Sequence, residues 1–190
     1  DQRPEIALEE EFLEALREGD LELHFQPKIE LQTGEVRSAE ALLRWTTRAG
    51  ERIAPPAVVS LAHNTGKSFE LTKWIAGQCM RTLSQWRGSL DVGLALNVQA
   101  DLVNHPDLVS TLQDARAIWS VAPSALTIEI TEDAILEDRD EGFQNLEKIR
   151  DAGIRLSIDD FGTGYSSMSY FKQIPAAELK IDQSFVRTML

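Results

Sequence analysis

Six polar residues stand at the ends of short apolar runs: Glu40 in SAEALLRW, Asn97 in LALNV, Glu129 in LTIEIT, Asp159 and Asp160 in LSIDDFG, and Lys180 in ELKID. Five of them offer oxygen, with no cysteine or histidine among them, which suits hard cations such as Mg²⁺, Mn²⁺ or Ca²⁺. Asp159 and Asp160 repel each other if both are ionised. One divalent cation held by several carboxylates removes that repulsion, and two cations sharing an aspartate favour both charges. Strand side chains alternate in direction, so the two aspartates converge only where the strand breaks. Phe161-Gly162-Thr163-Gly164 is expected to make that break, because glycine permits positive φ. Lys180 lies between Leu179 and Ile181; pointing inward, it would be partly desolvated. Near metal ions its pKa is expected to fall, as suits a lysine that orients or deprotonates an attacking water. Arg44, four residues after Glu40, presents a fork suited to a phosphate oxygen.

Each residue also has an ordinary reading. A lone strand-end acid is usually a turn or cap residue. Lys180 could pair with Asp182 or Glu178, and Arg44 could form a strand-end salt bridge. The glycine run is not a P-loop, since no Gly-Lys-Ser/Thr follows it. Five metal-type oxygens at consecutive strand ends are the stronger signal.

The 190 residues, 43% hydrophobic, suffice for one domain with a substantial core. No apolar run approaches the ~20 residues that cross a bilayer, and the start does not read as a signal peptide. Cys79 is the only cysteine, which excludes a disulfide framework or thiolate cluster. His24, His63 and His105 lack metal-site spacing. The net charge of −12, with 31 acids against 19 bases, argues against polymeric nucleic acid. It leaves open a small phosphorylated ligand whose charge metal ions neutralise.

The elements that must position these residues alternate. Residues 21–31, 36–45, 92–98, 125–131, 154–160 and 178–182 read as strands, the first two joined by the turn QTGE. Residues 70–88, 105–119 and 140–153 read as amphipathic helices, and Gly88 and Gly153 as stops. The head reads as an acidic helix stopped at Gly19, with Ile6, Leu8, Phe12, Leu13 and Leu16 on its apolar face. This alternation predicts an α/β fold with a mostly parallel sheet. Asn97, Glu129, Asp159 and Lys180 follow one another at about one strand–helix unit, so a barrel with its site at the C-terminal strand ends is favoured over a doubly wound sheet.

At this point EALLRW (40–45) resembles the signature of the EAL domains, bacterial cyclic di-GMP phosphodiesterases. FQP (25–27), LNV (96–98), IEITE (128–132), DDFGTGYSS (159–167) and KIDQSFV (180–186) are similar in order and spacing, from about Leu21 to the end. The resemblance implies a TIM-like (β/α) barrel with one reversed strand, hydrolysing cyclic di-GMP to linear pGpG with Mg²⁺ or Mn²⁺ at a two-metal site, Ca²⁺ being inhibitory. Glu40, Asn97, Glu129 and Asp159 then look like ligands of one metal, and Asp159 and Asp160 like the start of the second site. Lys180 looks like the residue that handles the water. Gln26, Leu42, Arg44 and Asp182 resemble substrate contacts, and Glu132 resembles the anchor of the Gly162–Ser167 loop, which in this family couples dimer contacts to metal binding.

The same resemblance implies a homodimer, a sensor or GGDEF-type domain elsewhere in a longer parent, and a bacterial cytoplasmic setting, with any membrane tether carried by other domains. Residues 1–190 would be an EAL domain: an N-terminal acidic helix at 1–19, then a barrel at 20–190 through the sixth strand and the start of its helix. Two strand–helix units of the family, including a further second-metal carboxylate, have no counterpart here, so hydrolysis is expected of the parent rather than of these residues alone. His63 and Gln99 depart from the family's usual glutamate and serine. The alternatives are a cyclic di-GMP receptor without turnover, which typically lacks a metal ligand, and an enolase-type barrel. Asn97, Arg44 and the aspartate pair with its glycine loop fit the latter poorly.

Overall fold

A computed structural model of the chain describes residues 3–131, 139–162 and 174–187. Glu132 and most of the loop after Gly162 lie outside the described residues. The elements run α1 (Arg3–Glu18), β1 (Glu22–Ile29), β2 (Val36–Thr46), β3 (Arg52–Ile53), α2 (Pro55–Asn64), α3 (Ser68–Trp86), β4 (Gly93–Asn97), α4 (Ala100–Val103), α5 (Leu108–Ile118), β5 (Leu126–Thr131), α6 (Arg139–Asp151), β6 (Arg155–Phe161), β7 (Glu178–Ile181) and α7 (Gln183–Arg187). The six expected strands and four expected helices form within a few residues of their predicted bounds. The two-residue β3 and the helices α2, α4 and α7 are additions, too short or too weakly patterned to read from the sequence.

The sheet order is β1-β2-β4-β5-β6-β7, with β3 pairing beside β2. β1 runs antiparallel to β2, and every later neighbour along the path is parallel. The sheet is curled: Lys28 on β1 and Glu178 on β7, strands at opposite ends of the order, meet at 2.6 Å. The result is the α/β, parallel-rich, barrel-like fold with one reversed strand. Among the described residues β1 and β7 each have a single sheet neighbour. No helix among them is long and apolar enough to cross a membrane.

The convex face of the sheet holds the larger core. Leu94, Leu96, Leu126, Ile128, Ile130, Leu156 and Ile158 pack with Cys79, Met80, Leu112, Leu146 and Ile149 from α3, α5 and α6. Each fully buried aliphatic side chain contributes roughly 1.5–3 kcal/mol. A second cluster ties α1 and α2 to β2, with Phe12 edge-on to Trp45 at 5.8 Å. Gly19 ends α1 at φ +81, and its N–H donates to the Ala15 carbonyl. The acidic head is therefore a covering helix. Phe12 is buried and Leu8, Leu13 and Leu16 pack against the same cluster, as expected, with Ala15 joining them; Ile6 alone of the expected face is exposed.

The break expected at Phe161–Gly164 begins earlier. Asp160 itself adopts φ +53, and the pairing with β7 slips between Ile158 and Phe161. Aspartate tolerates this left-handed conformation better than most residues. Here the Asp160 N–H also donates to Asp159 Oδ1 at 2.9 Å, a local bond available to a short polar side chain. Gly162 follows at φ +100, where a Cβ would lie 2.8 Å from the Phe185 ring of α7.

Candidate functional site

Strand register decides which side chains share the concave face. On β2 the buried residues Ala39, Ala41, Leu43 and Trp45 alternate with half-buried Glu40, Leu42 and Arg44. Gln26 lies opposite Glu40, and Lys28 opposite Ser38. Asn97 pairs with Glu129, Glu129 with Ser157, and Ser157 with Glu178; Thr131 pairs with Asp159. Pairs across a ladder point the same way, so these residues line the inside of the curl.

Glu40, Glu129 and Asp159 each present a carboxylate oxygen within 4.8 Å of the others. The Lys180 ammonium sits among them, donating to Asp159 Oδ2 at 2.7 Å, Glu129 Oε2 at 3.0 Å and Glu40 Oε2 at 3.1 Å. Asn97 donates through Nδ2 to Glu40 Oε1 at 2.9 Å. Lys180 therefore points inward and pairs with the cluster rather than with Asp182 or Glu178. The fall in its pKa expected near metal ions concerns the loaded site; among the carboxylates alone the pKa is raised. Burial pulls it down, but hydrogen bonds to Asp159, Glu129 and Glu40 together outweigh that and hold it above the ordinary lysine value.

Glu129 is fully buried, and burial raises its pKa; hydrogen bonds from Lys28 and Lys180 oppose the rise, while the Glu40 charge adds to it. Asp160 stands beside the cluster on the turned strand end. Partial burial raises its pKa, as do Asp159 and Asp182, against the pull of Lys180. Asp182 caps α7: its Oδ1 accepts the Ser184 N–H at 2.8 Å, which lowers its pKa.

Lys28 and Glu178 were not singled out as site residues by sequence. Lys28 Nζ lies 2.6 Å from Glu129 Oε1 and 2.6 Å from Glu178 Oε1. Burial pulls its pKa down, but the two carboxylates more than offset this and keep it a cation. The signal was present: Lys28 is two residues from Gln26, and Glu178 two from Lys180, so each shares a face with a residue already assigned inward.

Arg44 donates to its neighbour's carbonyl, Leu43 O, at 2.8 Å, and among the described residues no carboxylate forms an ion pair with it. The strand-end salt bridge is thus not its partner there. Arg44, Leu42, Asn97, Glu129, Gln99 and Thr131 border a cleft of about 590 Å³ that opens beside the acidic cluster. His63, the other departure, faces Asp101 at 3.7 Å on the exposed surface.

The oxygen-rich, charged set fits a hard divalent cation. Among the described residues, Glu40, Glu129, Asp159 and Glu178 pair with two ammonium groups, Lys28 and Lys180, and Asp160 stands beside them, so the cluster carries an excess of negative charge. A divalent cation would offset that excess.

The family model of the EAL domain matches residues 9–190. The chain is 37% identical over 184 residues to the cyclic di-GMP phosphodiesterase NbdA of Pseudomonas aeruginosa, covering 96% of this chain and 24% of that protein. It is 36% identical over 187 residues to the bifunctional diguanylate cyclase/cyclic di-GMP phosphodiesterase MucR of the same organism, covering 97% and 27%. The chain thus spans about a quarter of the length of these relatives. Among solved structures, it is similar to the PaMucR phosphodiesterase in complex with c-di-GMP, with a TM-score of 0.86 and 36% identity, covering 94% of this chain and 74% of that one.

Proposed function

This chain belongs to the EAL domain family, and from that premise we propose that it is the catalytic part of a phosphodiesterase that opens cyclic di-GMP to linear pGpG. The observation that carries the reading is the convergence of Glu40, Glu129 and Asp159 within 4.8 Å, beside a cleft lined by Arg44, which has no carboxylate partner among the described residues.

Glu40, Asn97, Glu129 and Asp159 would hold one Mg²⁺ or Mn²⁺, and Asp159 with Asp160 would begin a second site. A divalent cation bound there supplies Lewis-acid charge at the phosphoryl oxygens and makes a water a better nucleophile at neutral pH. The chain's own groups do the rest. Arg44 offers two parallel donors to a non-bridging phosphate oxygen pair. Leu42, on the same face, gives the nucleotide an apolar wall, and Gln26 lies at the rim opposite Glu40. Lys180 donates to Glu40, Glu129 and Asp159; with those oxygens turned to a cation, its N–H groups would be free to orient the attacking water and stabilise charge on the phosphoryl group. The carboxylates keep that lysine aimed at the reacting centre rather than at solvent. Asp182, at the start of α7, would contact the nucleotide, and Glu132 would anchor the Gly162–Ser167 loop.

Calcium is proposed to enter the same cage without supporting turnover, since a larger, less strictly octahedral ion positions the phosphate less sharply. A homodimer and a sensor or GGDEF-type domain in the parent complete the proposal.

The test is product analysis. Full-length protein with cyclic di-GMP and Mn²⁺ should yield pGpG by chromatography, and none with Ca²⁺. Tight binding of the nucleotide with no product under either ion would replace the enzyme by a receptor.

A further inference from the structure

The two oxygens of Glu129 are divided between different partners. Oε2 faces the ammonium that also touches Glu40 and Asp159, and so looks into the cage. Oε1 is held by Lys28 at 2.6 Å. Lys28 is itself fixed from its other side by Glu178, also at 2.6 Å. Glu129 is fully buried, so no solvent can take over Oε1 if it turns away from Lys28. The restraint comes from a strand 101 residues away in sequence and is anchored to one 150 residues from Lys28.

We infer that Lys28 is a positioning residue that restricts Glu129 to one cage-facing oxygen, and that this restriction tunes the site for small octahedral cations over calcium. The inference rests on the metal-site reading above. Mg²⁺ demands near-octahedral geometry at about 2.0–2.1 Å, whereas Ca²⁺ takes about 6–8 oxygens at roughly 2.3–2.6 Å and readily accepts both oxygens of one carboxylate. A Glu129 that cannot turn its second oxygen inward withholds a ligand that only the larger ion could use. Lys28 also repels any nearby cation, but that repulsion acts alike on two ions of equal charge. It cancels in the ratio of their affinities, which therefore isolates the number of oxygens Glu129 can offer.

The experiment uses full-length protein without nucleotide, with Mn²⁺ as a paramagnetic probe whose unbound signal is measured while Mg²⁺ or Ca²⁺ competes. Lys28→Met should raise the calcium-to-magnesium affinity ratio by about tenfold, in the range expected when a residue that orients a metal ligand is lost. Lys28→Arg, which keeps a charged donor to Oε1, should bring the ratio back to within about threefold of the parent. A folded Lys28→Met protein with a ratio within twofold of the parent overturns the inference. So does a calcium preference that arginine does not reverse. Should circular dichroism show the methionine variant unfolded, Lys28→Gln, uncharged and a bond shorter, is judged by the same ratio. A parent protein that binds neither ion overturns the metal site and this inference together. Absence of turnover in a parent that binds both strikes the phosphodiesterase reading alone, because the ratio is read without nucleotide.

Discussion

On β5, Ile128 and Glu129 are neighbours in the chain and both are completely buried, yet they are held by different physics. Ile128 turns to the convex face, among side chains from β4, β6 and the covering helices. Its stabilisation follows apolar area, at roughly 25 cal/mol per Å², and many side chains of similar size could supply it. Glu129 turns to the concave face, where its charge is tolerable only because Lys28 and Lys180 each take one of its oxygens. Removing one partner of a buried ion pair typically costs about 3–5 kcal/mol, because the remaining charge has nowhere to go. The convex face is thus tolerant of composition and sets stability; the concave face is intolerant of it and sets chemistry.

The sharpest division between the faces should appear with Asp159→Asn. It removes a cage carboxylate and is expected to lower kcat by at least about 10³-fold, with nucleotide binding reduced far less. Near-parental turnover at saturating Mn²⁺ would take Asp159 out of the cage.

The converse change is Ile128→Ala, expected to cost about 2–5 kcal/mol in chemical denaturation. Turnover per folded molecule should stay within a few-fold of the parent. A parallel collapse of Mn²⁺ affinity in that variant would show that the two faces are not independent.

A smaller effect belongs to Arg44→Ala. Loss of a charge-assisted contact of roughly 1.5–3 kcal/mol should weaken cyclic di-GMP binding, measured calorimetrically in calcium. Stability should move by less than about 0.5 kcal/mol, the usual range for such sites. Unchanged affinity would remove Arg44 from the substrate's contacts.

The smallest expected signal is on the convex side. Cys79 is fully buried and its thiol is pushed up to about 12, so a thiol reagent should label it only after unfolding. Rapid labelling of native protein would mean that α3 opens from the sheet far more readily than its packing implies.

Much of this architecture can be read from residue order. Period-two alternation in EALLRW puts Glu40, Leu42 and Arg44 on one face, and the apolar runs around Asn97, Glu129 and Asp159 place those residues on successive strands. Periodicity does so because side-chain direction in a strand is a local property of the backbone. The amphipathic helices and their glycine stops are legible for the same reason, and Ile6 misleads only because a helix pattern does not say where its supporting surface ends.

What the amino-acid order could not decide is which charges meet. Lys180 had nearby carboxylates at Asp182 and Glu178 but instead enters a cage built from β2, β5 and β6. Glu178 is claimed by Lys28, on the strand at the far end of the sheet order. Asp160 turns itself through a positive φ two residues before the glycine that should have done it. Backbone periodicity is set within a few residues. Ion pairing and strand-end direction depend on how far the whole sheet curls, and that curl is a collective result of twist and of packing on the convex side.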